Sequence, residues 1–126
     1  MSARVGASAE QQLPWLVCED AGLVVGYAYA TTWKSRCAYR YSAETSVYLS
    51  QQCVRKGIGS KLMQELIVRL RALELHSILA GIALPNEASI ALHEKLGFEK
   101  VAHFKEVGRK FDRWIDVAYW ELILEN

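Results

Sequence analysis

Charge of either sign is not in excess in this 126-residue sequence: 15 Lys and Arg stand against 14 Asp and Glu, a formal net charge of +1. Proteins that grip nucleic acid or another polyanion over a broad surface carry a clear basic surplus. No nucleic-acid partner is therefore expected, and any anion site must be local. Cysteine is scarce: Cys18, Cys37 and Cys53 are an odd number, widely spaced, with no CxxC pair. That excludes a disulfide framework or a zinc ribbon and points to reduced thiols in a cytoplasmic protein. The histidines His76, His93 and His103 complete no ligand spacing, so no metal is expected. No stretch approaches the roughly 18 apolar residues of a membrane span, which argues against a membrane role. The opening MSARVGASAEQQ has one Arg and no apolar centre, unlike a secretory signal. Residues 1–14 read as a polar tail and 15–126 as a single domain, since a chain of this length supports one core. Repeats, linkers and low-complexity runs are absent from the sequence.

What is present is a regular alternation of elements. WLVCE and LVVGYAYATTW are rich in β-branched and aromatic residues, and Asp20-Ala21-Gly22 between them signals a tight hairpin. Residues Ser35 to Ser42 are polar, Tyr-rich and irregular, as in a loop or short turn. Glu44 to Ser50 reads as a further strand. Ile58, Leu62, Leu66, Ile67, Leu70 and Leu73 then recur at three- and four-residue spacing, which predicts an amphipathic helix of about four turns. The continuous apolar run from Ser77 to Leu84 suits a strand buried on both faces. Asn86 is a good N-cap for a helix from Glu87 to Leu96, and Gly97 is a natural C-cap. Strands over Phe98–Lys110 and Trp114–Leu124 close the chain. The order β-β-β-α-β-α-β-β predicts an α/β fold with a mixed, mostly antiparallel sheet.

The segment VRKGIGSKL, Val54 to Leu62, places two glycines one residue apart at the mouth of the first helix. A P-loop is excluded, because the earlier Gly and the Gly-Lys pair are missing. A dinucleotide fingerprint fails too, since Leu62 stands where its third Gly belongs. Two readings stay open. Gly-x-Gly at a strand-to-helix junction forms a cradle of unpaired backbone N–H groups for phosphate, with Arg55 and Lys56 at its rim. It also serves as a plain tight turn.

The surroundings carry a resemblance. Strand, R/Q-x-x-G-x-G/A, helix, apolar strand, Asn-capped helix and L-G-F follow one another as in the GNAT N-acetyltransferases, which bind acetyl-CoA. The likeness runs from about Trp15 to the C-terminus. WKSRCAYRYSAETSVYLS, VRKGIGSKL, LPNEASIALHEKLGF and KFDRWIDVAYW resemble the phosphinothricin and methionine sulfoximine acetyltransferase branch more closely still. One departure is Val54, where the motif has Arg or Gln; the backbone cradle does not require that side chain. The resemblance further implies a strand and two helices ahead of Trp15, for which the chain has only Met1 to Pro14.

The resemblance also distributes roles. Val47, Tyr48 and Leu49 would present main-chain groups to the pantetheine arm and acetyl carbonyl of acetyl-CoA, and Arg55, Lys56, Gly57, Ile58, Gly59 and Ser60 would hold its pyrophosphate. Asn86 would meet the pantetheine and Lys95 the adenosine portion. Each has a plainer alternative, a core strand for Val47–Leu49 and an N-cap for Asn86. Direct attack by an amine needs a base, and Glu44 at the start of its strand fits, a carboxylate of pKa about 4.3 being ionised at neutral pH. A solvated strand-edge acid is the alternative. The departing thiolate needs a proton, for which His93 occupies the family's position, with Tyr48 and Tyr119 as other donors. The acceptor, a small amino acid analogue, would sit against Lys34, Arg36, Cys37, Ala38 and Tyr39 together with Glu44, an Arg suiting its carboxylate. Trp114 and Trp120 read as packing residues. The branch implies a homodimer. Two functions remain in view: an active small-molecule N-acetyltransferase, and an acetyl-CoA-binding or interaction domain without turnover.

Overall fold

The computed structural model describes residues 2–7, 13–33, 37–50 and 57–124. Strands β1 (Ser2–Ala7), β2 (Pro14–Asp20), β3 (Leu23–Thr32) and β4 (Ser42–Leu49) precede helix α1 (Ile58–Ala72). Strand β5 (Ser77–Ala83), helix α2 (Glu87–Lys95) and strands β6 (Glu99–Lys110) and β7 (Arg113–Ile123) follow. A single 3-10 turn, Cys37–Tyr39, lies in the irregular segment before β4. The seven strands form one sheet in the order β1-β2-β3-β4-β5-β7-β6. Every pairing is antiparallel except that of β4 with β5. The expected mixed, mostly antiparallel sheet is therefore present.

One stretch departs from its reading. Ser2–Ala7, expected in a polar tail, forms β1 and pairs with β2 from Ser2 opposite Glu19 to Ala7 opposite Pro14. A β2 without this neighbour would present a row of bare N–H and C=O groups, and the pairing satisfies them. Between β2 and β3, Ala21 (φ 53°) and Gly22 (φ 83°) take the left-handed conformations that a two-residue hairpin turn requires.

Period-2 alternation divides the sheet into two faces. One carries Leu16, Ala28, Ala30, Ala43, Ile78, Ala80, Ile82, Ala118 and Trp120, all buried, and receives the apolar stripe Ile58, Leu62, Met63, Leu66, Ile67 and Leu70 of α1. The alanines of β3 and β4 keep that surface flat enough for α1 to lie close. Helix α2 is tied to the same face, where the buried Trp120 indole Nε1 donates to Glu94 Oε2 at 3.1 Å. The opposite face bears Tyr27, Tyr29, Glu44, Tyr48 and Tyr119 by register. Strand β5 differs from its reading as buried on both faces: Ser77 to Ala80 and Ile82 are buried, whereas Gly81 and Ala83 are exposed.

Candidate functional site

The sheet parts in its middle. The parallel ladder between β4 and β5 holds only Ser42–Ser77, Ala43–Ile78 and Glu44–Leu79. Beyond Glu44, β4 stays paired with β3 as far as Leu49, so its other edge faces a gap. Ser50 N–H donates to Val25 O at 2.9 Å. The alternation of an antiparallel ladder then turns the main-chain groups of Val47 and Leu49 away from β3 and into that gap.

A cleft of about 760 Å³ occupies the gap. Its walls include Val47, Tyr48 and Leu49 from β4, Gly57, Gly59 and Ser60 from the start of α1, and Asn86, Glu87, Ala88, Ala91 and Lys95 from α2. Three stretches singled out in the sequence thus meet around one space. A smaller hollow of about 360 Å³ on β2 and β3 brings none of the predicted site residues together.

The two glycines at the helix mouth differ in purpose. Gly57 caps α1 with φ 78°, a left-handed conformation that glycine adopts without strain. A Cβ on Gly59 would come within 3.1 Å of Leu49 Cδ1 and 3.3 Å of Leu92 Cδ2, so this position needs a small residue where β4, α1 and α2 converge. Among the described residues no side chain caps α1, and its first turn contains no acid. The first turn of a helix has N–H groups without intrahelical partners and the positive end of the helix dipole. No acid stands within that turn, the cleft's Glu87 lying across on α2, so the chemistry of the helix entrance fits a phosphate-bearing ligand such as acetyl-CoA. Arg55 and Lys56, expected at the same rim, lie outside the described residues. Ile58 is in the core rather than on the cleft wall, and only its main chain belongs to the helix entrance.

Asn86 caps α2 as predicted, its Oδ1 accepting from Ser89 N–H at 3.1 Å, and it also lines the cleft. The two readings of Asn86 are therefore compatible. Sequence reasoning passed over Ala88, Ala91 and Leu92, which form the α2 wall with Lys95. For Ala88 and Ala91 the signal was small side chains at helical spacing on one face, opposite a glycine-rich helix entrance.

His93 lies in the core under that wall, 2% exposed, with its ring edge-on to Phe98 at 5.0 Å. Its Nδ1 stands 2.8 Å from the Ser89 carbonyl oxygen, an acceptor, so Nδ1 carries the proton. Nε2 is buried without a partner among the described residues. Burial pushes the imidazole pKa down, against a smaller upward effect of the Ser89 carbonyl, and the neutral ring is favoured.

Glu44 sits on the sheet face away from α1, half-buried, at the last rung before β4 and β5 separate. The Tyr119 hydroxyl pKa is raised by burial and then by the negative charge of Glu44. Tyr48 extends its ring on this face into a cluster with Tyr27 and Tyr29, with centroids 5.0 and 6.5 Å away. Its own pKa is raised by burial and by those two neighbours. Ahead of β4, Tyr39 meets Trp33 edge-on at 5.6 Å, and Cys37 and Ala38 share its 3-10 turn. Lys34 and Arg36 lie outside the described residues.

A mixed sheet that opens between two parallel strands, with an uncapped helix entrance on one side and an Asn-capped helix on the other, defines a class: α/β domains built to receive an extended, anion-bearing ligand. The chain belongs to the acetyltransferase (GNAT) domain family, which matches residues 2–119. It is 40% identical over 112 residues to a phosphinothricin N-acetyltransferase of Streptomyces viridochromogenes, covering 89% of this chain and 61% of that one. It is 43% identical over 113 residues to an L-methionine sulfoximine/L-methionine sulfone acetyltransferase of Salmonella typhimurium, covering 90% and 66%. The chain thus spans less than two thirds of the length of either relative. A crystal structure of a GNAT superfamily phosphinothricin acetyltransferase from Sinorhizobium meliloti in complex with acetyl-CoA superposes with a TM-score of 0.86 at 41% identity, covering 91% of this chain and 63% of the other.

Proposed function

We propose that the protein transfers an acetyl group from acetyl-CoA to the amino group of a small amino acid analogue of the phosphinothricin or methionine sulfoximine type. The observation that carries this reading is the parting of β4 from β5 beside an uncapped helix entrance. Together these set free main-chain groups and an anion cradle along one 760 Å³ cleft. The named relatives supply the acceptor class.

Acetyl-CoA would supply the acetyl group as a thioester. The α1 entrance at Gly57–Ser60, with Arg55 and Lys56, holds its pyrophosphate, and Asn86 and Lys95 flank the rest of the cofactor. The N–H groups of Val47 and Leu49, turned into the cleft, are placed to stabilise negative charge developing on the thioester oxygen. Glu44 takes the proton of the acceptor amine, directly or through water, so that the nitrogen has a lone pair for direct attack in a ternary complex. Lys34, Arg36, Cys37, Ala38 and Tyr39 hold the acceptor. His93 as proton donor to the departing thiolate carries a specific demand: the ring must gain a second proton, on Nε2, against its burial. The reading includes a cytoplasmic location and a homodimer, for which the exposed Phe111 and Trp114 of the β6–β7 hairpin offer an apolar surface.

The test is release of free CoA, followed by thiol titration, from acetyl-CoA with phosphinothricin, methionine sulfoximine or methionine sulfone. A blank without acceptor corrects for hydrolysis and for the protein's own thiols. Acceptor-dependent release is expected, and Glu44→Gln should lower kcat by about 100-fold or more, the scale of a lost general base. Acetyl-CoA binding by calorimetry without release for any acceptor would leave a cofactor-binding domain. Wild-type rates in Glu44→Gln would remove Glu44 from the base role.

A further inference from the structure

Tyr119 stands on β7 directly opposite Gly81 of β5, on the face that carries Glu44. A Cβ on Gly81 would lie 3.0 Å from Tyr119 Cζ, 3.1 Å from Cε2 and 3.2 Å from the hydroxyl oxygen. It is the far end of the ring that covers Gly81, so the phenol lies across β5 with its hydroxyl towards β4. Phe104 of β6 abuts the ring edge-on at 6.0 Å and backs it from the other side. The next strand beyond β5 is β4, where Glu44 pairs with Leu79, two residues before Gly81. Any side chain at position 81 would occupy the path from the tyrosine to the carboxylate.

We propose that Tyr119 is a positioning residue for Glu44: its ring crosses β5 over Gly81 so that, once the acceptor is seated, the hydroxyl donates to the carboxylate and fixes the direction in which Glu44 meets the acceptor amine. This rests on the reading of Glu44 as base, and it explains a glycine in the middle of a central strand, where lost packing otherwise makes glycine unfavourable. Burial and then the negative charge of Glu44 raise the phenol pKa, which keeps the hydroxyl protonated and places it within the field of the carboxylate. Other titratable or charged groups share this face by register among the described residues: Tyr27 and Tyr29 on β3, Tyr48 on β4, Arg113 and Glu121 on β7, and Glu99 and Lys110 on β6. Glu121 already accepts from the Ser77 hydroxyl at 2.7 Å. β5 contributes only Ser77, Leu79, Gly81 and Ala83 to the face.

The experiment is a ¹³C-tyrosine NMR titration of the full chain, with the Tyr119 resonance assigned by its loss in Tyr119→Phe. In the wild type, Tyr119 should titrate above the ordinary value of about 10, and in Glu44→Gln it should fall towards it. Gly81→Ala, which pushes the ring off its path, should move the titration in the same direction. An unchanged Tyr119 titration in Glu44→Gln overturns the proposal. In kinetics, loss of one hydrogen bond to a charged group predicts a kcat about 10- to 100-fold lower in Tyr119→Phe. The acidic limb of kcat/KM should move to higher pH and the acetyl-CoA KM should stay in place. A tyrosine that merely packs would leave that limb where it is, and this result also overturns the proposal. Should the wild type turn over no acceptor, the NMR arm still decides the Tyr119–Glu44 contact, while the acetyltransferase reading fails separately.

Discussion

His93 shows how a single residue can be placed by pattern and yet defined by its surroundings. Its position four residues before Gly97 was readable, but burial and the Ser89 carbonyl determine its tautomer and charge. Burial lowers its pKa, so between that value and the unfolded value of about 6.5 the unfolded chain binds more protons than the folded one. The stability present above about pH 6.5 is therefore lost as pH falls through this window. Urea unfolding at pH 7.5 and 5.5 should show a lower midpoint at the acidic pH. His93→Phe should shrink that difference, and an equal difference in both proteins would show that another group carries it. Asp116, held below its ordinary carboxylate pKa by His103 and then by the Glu106 N–H, titrates below this window.

Among the elements, α1 best joins local chemistry to the site. Its seven-residue buried face follows from the apolar spacing in the sequence, and its cleft-facing entrance follows from Gly57 and Gly59. Gly57 has open space around a would-be Cβ, so its requirement is conformational, not steric. Alanine there is forced towards a left-handed conformation at a cost of about 1–2 kcal/mol. Gly57→Ala should accordingly lower the unfolding free energy by about that amount and weaken acetyl-CoA binding measured by calorimetry. Unaltered affinity would dissociate the helix entrance from the cofactor. The boundaries of α2 were legible because apolar pattern, the Asn86 cap and the Gly97 stop agree, and those of α1, β5, β6 and β7 because their apolar patterns are bounded by polar or turn residues. Strand β1 was not, because Ser2–Ala7 has little apolar pattern of its own and gains its structure from the open edge of β2.

At the scale of the whole molecule, the β6–β7 hairpin projects apolar side chains, Phe111 being 93% and Trp114 62% exposed. In sedimentation velocity, the wild type should run as a dimer and Phe111→Lys as a monomer. A monomeric wild type would end the homodimer reading. Among the described residues no helix is long and apolar enough to cross a membrane.

By itself the sequence determined the order of strands and helices from β2 onward, the anion-friendly helix entrance and the Asn cap, since each depends on neighbours within a few residues. It also marked Glu44 and Val47–Leu49 as a unit through family likeness. Only the tertiary structure decided that β4 and β5 separate after Glu44, that α2 supplies a small-residue wall, that His93 is enclosed, and that Tyr119 reaches across Gly81 towards Glu44. These depend on strand pairings between segments more than thirty residues apart, and local pattern carries no record of where a parallel ladder stops.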